Sequence, residues 1–225
     1  MLKPFSFRLV EDTVPPGGDP AYLSAAARAL YVIEGDVTVE TALGSSYHAQ
    51  GSAWIGEDPV AVYPGGQGAR VLRWELVAAN EDDGVLRAAP HCRSHAAIST
   101  VVEIDPGFGW LMRCDRVSFP KGGIAYTHVH QGPGIRYCLE GSIRIESEGR
   151  VNSYGPGEAW FENGSSPVLA PTSTESETSF VRCFILPRSC KGRPSIRYVR
   201  PEDAAKPKVQ RYRVLGERFI ELPAN

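Results

Sequence analysis

The hydrophobic pattern along the chain is that of short β-strands separated by polar turns. Apolar and polar residues alternate with period two in stretches such as ALYVIEGDVTVETA (29–42) and IRYCLEGSIRIES (135–147). Segments rich in glycine and proline, such as VPPGGDP and YPGGQG, lie between these stretches. Two short segments have a helical composition, AYLSAAARA (21–29) and RPEDAAKP (200–207). The pattern predicts an all-β protein of antiparallel barrels or sandwiches with few short helices.

An internal repeat divides the chain into two similar parts. The segment YVIEG, which begins at Tyr31, matches YCLEG, which begins at Tyr137, and the pattern G-x-A-W occurs at both Gly51 and Gly157. Both matches have the same offset of 106 residues. Repeats at one fixed offset indicate duplicated structural units. We expect an N-terminal unit over 1–88, a C-terminal unit over 89–190, and an extension over 191–225 that packs on the units or on a partner subunit.

Composition and charge exclude several classes of function. The chain has 225 residues, a net charge of −2 and a hydrophobic fraction of 42%, which is typical of a globular protein. It has no basic patch for nucleic acid and no apolar run long enough to cross a bilayer. The first twenty residues lack the apolar core of a signal peptide, and five cysteines without paired spacing indicate reduced thiols. We therefore expect a cytoplasmic protein with neither a nucleic-acid nor a membrane partner.

The most specific motif is a histidine pair in the second half. The stretch from Gly122 to Gly141 has the spacing G-x5-H-V-H-x3-G-x6-G, in which the histidines are His128 and His130. This spacing resembles the first motif of the cupin superfamily, and YGPGEAWFENGSSPV (154–168) resembles the beginning of the second. The resemblance covers both halves and implies a bicupin, with two tandem jelly-roll barrels of the double-stranded β-helix type. Cupins include enzymes, regulators and storage proteins, so the resemblance implies a fold and leaves the reaction open.

The resemblance also implies where a metal would bind and which ligands have been lost. In metal-binding cupins, two histidines, a glutamate and a distant histidine hold one divalent ion inside the barrel. Only His128 and His130 carry over to this chain. Gly134 stands at the position of the glutamate, and Pro167 or Val168 stands at that of the last histidine. The N-terminal unit retains none of the four, so we expect a degenerate, structural first barrel.

The residues themselves indicate how a reduced site would work. Residues i and i+2 of a strand share a face, so His128 and His130 can chelate an ion of Fe, Mn, Ni or Zn. Protein sites usually supply three or four ligands. Glu162, on the strand AWFE, is the first candidate for the third ligand, ahead of the thiols of Cys138 and Cys183. The alternative is a metal-free polar pocket, with Glu162 as a surface carboxylate.

Arg136 is the candidate anchor for an anionic substrate. By strand parity it shares a face with Gly134, and a guanidinium inside a barrel requires a partner. That partner is either Glu162 or a substrate carboxylate held by two parallel hydrogen bonds. A local twist that turns Arg136 outward is the alternative. Tyr126 and Trp160 are further candidates to line the substrate pocket.

Two functions follow from these candidates. The first is a divalent-metal-dependent enzyme of the dioxygenase, isomerase or lyase type, acting on a small anionic substrate with the metal as Lewis acid or oxygen-activating centre. The second is a non-catalytic bicupin that binds or senses the same class of molecule with a vestigial metal site. The sequence does not decide between them. The resemblance further implies a homodimer, because cupin-like sheets often pair at their edges.

Overall fold

The computed structural model describes residues 1–89 and 91–223. The chain folds into two compact units, one formed by Met1–Met112 together with the residues from Arg218 onward, and the other by Arg113–Glu217. Strands account for 62% of the structure and helices for 4%, so the all-β prediction is confirmed. The single α-helix among the described residues has five residues, and no helix there is long and apolar enough to cross a membrane.

The first unit is built on a seven-stranded antiparallel sheet. Its central path runs β4-β3-β6-β1-β7, with β2 paired to β6 and β5 paired to β3. The strands are β1 (Lys3–Val14), β2 (Ala21–Leu23), β3 (Ala27–Thr41), β4 (Gly44–Ala49), β5 (Ala53–Gly56), β6 (Val60–Ala78) and β7 (Arg93–Ile104). The long strands β3 and β6 bend where Gly35 meets Gly68. Gly35 has a φ of +72°, and a Cβ there would overlap the Gly68 carbonyl oxygen, so this corner requires glycine.

The second unit contains two five-stranded antiparallel sheets. Their strand orders are β13-β10-β15-β8-β17 and β12-β11-β14-β9-β16. The elements are β8 (Trp110–Phe119), β9 (Ile124–His130), β10 (Gly134–Glu140), β11 (Ile143–Ser147), β12 (Arg150–Tyr154), β13 (Ala159–Glu162), β14 (Val168–Pro171), β15 (Thr178–Pro187), β16 (Ile196–Tyr198), α1 (Pro201–Ala205) and β17 (Arg211–Ile220). Side chains of both sheets meet in an apolar core that includes Phe119, Ile143 and Phe180.

The structural repeat follows the sequence repeat. Strands β4 and β5 of the first unit recur as β12 and β13 of the second, at the predicted offset of 106 residues. The long strand β3 corresponds to β10 and β11, and the long strand β6 corresponds to β14 and β15, because turns interrupt both strands in the second copy. The prediction of two tandem barrels is confirmed.

The unit boundary differs from the predicted one. We placed the division after residue 88, whereas the two units divide between Met112 and Arg113. The reason is β7, which pairs along β1 with Phe5 opposite Val102 and so extends the first unit. In the predicted extension, 191–225, β16 pairs with β9 and β17 adjoins β8, so its described strands join the barrel sheets.

The two helix predictions had different outcomes. The segment 200–207 contains α1, as predicted. The helix predicted over 21–29 is wrong, because this segment contains β2 and the start of β3. Its alanines favour a helix intrinsically, but pairing with β6 and β5 decides the structure.

Candidate metal and anion site

A cavity of about 60 Å³ lies between the two sheets of the second unit. A single buried water requires roughly 10–15 Å³, so the cavity is small. Its walls are mostly apolar, and its polar residues come from both sheets and from the segment after β15. Seven of the polar residues that line the cavity are Asp115, His128, His130, Arg136, Glu162, Arg182 and Gln210.

Three candidate ligands converge in this cavity. One donor atom each from His128, His130 and Glu162 lies within 4.8 Å of the other two. The histidines are 4% and 6% exposed, and their ring centroids are 4.9 Å apart. Glu162 reaches them from β13, where it stands opposite Gly134 of β10. The structure therefore brings together the three residues that the sequence selected as candidate ligands.

Both imidazoles are oriented by backbone carbonyls. Nδ1 of His128 lies 2.7 Å from the Tyr126 carbonyl oxygen, and Nδ1 of His130 lies 3.2 Å from that of Ser195. When Nδ1–H donates to a carbonyl, Nε2 keeps its lone pair for a ligand. Burial lowers the pKa of His128 and holds the pKa of His130 well below its ordinary value. Both rings are thus neutral at pH 7, which is the protonation state that a metal requires.

Glu162 already has two partners. Its Oε1 accepts a hydrogen bond of 2.9 Å from the Trp160 indole, and its Oε2 lies 2.7 Å from Nη2 of Arg136. The second contact is an ion pair whose angles are not those of a hydrogen bond. Arg136 is 1% exposed, and burial lowers its pKa to about 10, which leaves it charged at neutral pH. Of the two partners predicted for Arg136, the structure shows the protein carboxylate.

A second guanidinium, which the sequence analysis missed, is better placed to bind a ligand. Arg182 of β15 stands opposite Arg136 in the strand register, and both guanidiniums lie over the Phe184 ring, at 4.6 and 4.8 Å. Nε of Arg182 donates to Asp115 at 2.6 Å. Its Nη groups have no hydrogen bond to any described residue, while those of Arg136 are engaged by Glu162 and the Gly134 carbonyl.

The remaining candidates lie in different places. Trp160 lines the cavity, but Tyr126 does not. A β-bulge in the pairing of β9 with β14 shifts the alternation before His128, and the Tyr126 ring instead lies 4.6 Å from Nζ of Lys206. Cys138 and Cys183 are fully buried outside the donor cluster. Burial raises the pKa of Cys138 to about 11 and that of Cys183 well above its ordinary value, so both stay protonated.

The segment after β15 closes one side of the cavity, which sequence reasoning also missed. Pro194, Ser195 and Ile196 line it, followed by Gln210 and Tyr212. This segment carries no motif of its own. The only signal in the sequence was its length beyond the internal repeat.

Comparison with known proteins addresses the fold. No protein-family model matches the sequence, and no curated protein matches it. Among solved structures, the 11S allergen of Cocos nucifera is similar, with a TM-score of 0.58 and 11% identity over 84% of this chain and 85% of that one. Oxalate decarboxylase of Bacillus subtilis, in a structure that concerns its Mn(II) centres, has a TM-score of 0.56 and 12% identity over 79% and 68% of the chains. A putative glyoxylate-induced protein of Pseudomonas aeruginosa has a TM-score of 0.53 and 17% identity over 80% and 74%.

These similar structures are cupin-fold proteins. This chain has the two-barrel cupin fold. The sequence resemblance is therefore confirmed at the level of the fold, and identities of 11–17% extend it no further.

The surroundings of Gly134 leave no room for the glutamate that the sequence resemblance implies at this position. A Cβ at Gly134 would lie 2.6 Å from Cδ1 of Phe184 and 2.9 Å from Nη1 of Arg136. The Phe184 ring and the Arg136 guanidinium thus occupy the space that the first side-chain atoms of a glutamate at position 134 would need. Glu162 brings a carboxylate to the cavity from the neighbouring strand instead.

The donor set suits a divalent ion. When two donor atoms each lie about 2.0–2.2 Å from a tetrahedral ion, the distance between the two donors is roughly 3.4 Å. Separations of up to 4.8 Å must therefore close by up to about 1.4 Å, and Glu162 must share its carboxylate with Arg136. Two neutral imidazoles and one carboxylate are ligands that Zn, Fe, Mn and Ni accept.

The first barrel has no counterpart of this cluster among its described residues. It contains a buried ion network in which Glu75 accepts hydrogen bonds from Arg8, Arg28 and Arg73, and Arg73 also pairs with Asp12. Burial alone would raise the pKa of Glu75, but the three guanidiniums lower it to about 2. Three guanidiniums thus share two buried carboxylates, and Nη1 of Arg28 is buried without a hydrogen-bond partner among the described residues.

Proposed function

We propose that the second barrel binds one divalent transition metal through His128, His130 and Glu162, beside a small carboxylate held by Arg182. The convergence of three donors, with both imidazoles neutral and oriented through Nδ1, carries this proposal. Manganese is the first ion to test, since it is named for the similar oxalate decarboxylase, followed by Fe, Ni and Zn.

The protein's own residues would bind and orient the substrate. The Nη groups of Arg182 are free to donate two parallel hydrogen bonds to a carboxylate. The apolar walls exclude water, and a cavity of about 60 Å³ favours a small substrate. A bound metal would supply Lewis-acid or oxygen-activating chemistry of the dioxygenase, isomerase or lyase type.

A second candidate function is metal-free binding of the same small acid. The observation that favours it is the ion pair between Arg136 and Glu162, which gives the carboxylate a counter-ion without any metal. In that case the neutral histidines are polar walls and Arg182 alone selects the ligand. The homodimer and the cytoplasmic location remain predictions.

Elemental analysis separates the two functions. The protein is purified without chelator or metal-affinity column, beside the double variant His128→Ala, His130→Ala. His95→Ala is the matched control, because His95 is exposed on β7 of the first unit. About one metal per chain in the wild type and the control, lost in the double variant, supports the metal site. No retained metal in the wild type, even after incubation with Mn, Fe, Ni and Zn, contradicts it.

The carboxylate anchor is tested by calorimetric titration with small monocarboxylic and dicarboxylic acids. Arg182→Gln should reduce their affinity at least tenfold, since it removes a charge-assisted pair. Arg197→Gln is the control, because Arg197 is exposed on β16 and does not line the cavity. Equal affinities in the wild type and Arg182→Gln would remove the anchor role.

A further inference from the structure

Gln210, which lines the cavity, has a buried acceptor that no described residue satisfies. The Oε1 atom of Gln210 is buried without a hydrogen-bond partner among the described residues, in a side chain that lines the cavity. Its other amide atom is committed, because Nε2 donates to the Tyr198 hydroxyl at 3.0 Å. A buried carbonyl oxygen without a partner is unfavourable, and native structures rarely keep one unless a ligand or water pairs with it.

The position of this acceptor relates it to the metal ligands. Tyr198 stands opposite His128 where β16 pairs with β9, and the two rings are 6.5 Å apart in an edge-on arrangement. Gln210 is hydrogen-bonded to that same tyrosine. The amide therefore contacts the sheet that carries the histidines, while Gln210 itself directly precedes β17, which belongs to the same sheet as β15 and Arg182.

The chemistry of the two groups specifies a ligand. Arg182 offers donors to a carboxylate, and the uncharged Oε1 of Gln210 requires a donor. A second carboxylate would present only acceptors to Gln210. An ammonium group would be repelled by the two guanidiniums of Arg136 and Arg182. A hydroxyl group meets neither difficulty.

We infer that the cavity selects a small 2-hydroxy acid, whose carboxylate binds Arg182 and whose hydroxyl donates to Oε1 of Gln210. The small cavity favours a ligand in which the two groups are close together, and a 2-hydroxy acid is the shortest such ligand. This inference rests on the proposed function and adds the substrate class to it. Gln210 is then a residue that determines specificity.

The test compares acids that differ only in the hydroxyl group. Calorimetric titrations of the full chain in the presence of Mn²⁺ measure glycolate against acetate, and lactate against propionate. The wild type should bind each hydroxy acid at least about tenfold more tightly than its partner, as expected for one buried hydrogen bond. Gln210→Met keeps the side-chain length and removes the acceptor, so the ratio should fall towards one. Gln67→Met, at an exposed glutamine of the first unit, should leave the ratio unchanged.

The outcomes separate this inference from the proposed function. If Mn²⁺ is retained and both acids of a pair bind equally to the wild type, only the 2-hydroxy acid assignment is overturned. A preference that persists in Gln210→Met also overturns it, because another group must then recognise the hydroxyl. If neither metal nor any of the acids binds, the proposed function fails as well. Should Gln210→Met fail to fold, equal binding of the two acids of each pair by the wild type would still overturn the assignment.

Discussion

Breaking the ion pair between Arg136 and Glu162 should have two opposite effects. It should lower the stability of the metal-free protein and raise its affinity for a metal ion. The guanidinium is 1% exposed and the carboxylate side chain 9% exposed, and their atoms approach to 2.7 Å. Replacing one partner of such a buried pair leaves an unpaired charge and typically costs about 3–5 kcal/mol. Arg136→Met should therefore lower the free energy of unfolding of the metal-free protein by about that amount.

The same substitution should strengthen metal binding. An ion on Glu162, at a ligand distance of about 2.1 Å, would lie within roughly 5 Å of the guanidinium. At an effective dielectric constant of about 20, the repulsion between a single and a double positive charge at that distance is about 6 kcal/mol. Removing Arg136 relieves this repulsion and frees Glu162. Even if relaxation cancels most of it, the affinity for Zn²⁺ or Mn²⁺ should rise at least about tenfold.

Two assays measure the stability and the metal affinity separately. Urea denaturation in the presence of a chelator gives the stability of the metal-free protein, and competition with a chromophoric chelator gives the metal affinity. Adding Glu162→Gln to Arg136→Met should recover much of the lost stability, since it removes the unpaired charge. Arg197→Met is the exposed control. An Arg136→Met protein as stable as the wild type, or one with weaker metal binding, would refute the reasoning.

Three further predictions concern the interior of the two barrels. Burial lowers the pKa of His128 and His130, so these histidines take up protons in the unfolded chain before they do so in the folded protein as the pH falls below about 6.5. The free energy of unfolding should therefore drop by up to about 1.4 kcal/mol per pH unit for each histidine. Urea denaturation between pH 7.5 and 5.5 measures this slope, which should flatten in the double alanine variant; an unchanged slope would contradict the assignment. Gly134→Ala should destabilise the protein by roughly 1–3 kcal/mol, because its Cβ meets the Phe184 ring at 2.6 Å, and a melting temperature equal to that of the wild type would show that the ring moves away freely. Glu75→Gln should cost about 3–5 kcal/mol in the same denaturation assay, since it leaves three buried guanidiniums without their shared carboxylate, whereas a loss below 1 kcal/mol would mean that the network is dispensable.

Local sequence patterns predicted those parts of the site that depend on strand alternation. His128 and His130 share a face because they are two residues apart on β9. The internal repeat located β13, and that strand carries Glu162 to a position opposite Gly134. Tyr126 shows the limit of this reasoning, because one extra residue at the bulge reverses the face of every side chain before it.

The residues that were missed depend on contacts between distant segments. Arg182 and Asp115 are charged residues within apolar strands, SFVRCFIL and WLMRCDRVSF, and that contrast could have identified them. Gln210 and Ser195 gave no such signal, since they lie after the repeat in a segment without periodicity. The division of the chain was misplaced for a related reason, because the pairing of β7 with β1 links residues about ninety positions apart.

The wall formed by the segment after β15 has a consequence for the order in which the site is made. Ribosomes synthesise chains from the N-terminus, so β8 to β15 emerge before Ser195 and Gln210. At that stage His130 lacks the carbonyl that orients its ring, and the cavity lacks its last side. The site is thus the last part of this barrel to be completed during translation. If the proposed metal binds, the site for it is complete only after Ser195 has joined the barrel, so we expect a chain truncated before residue 195 to bind the metal more weakly.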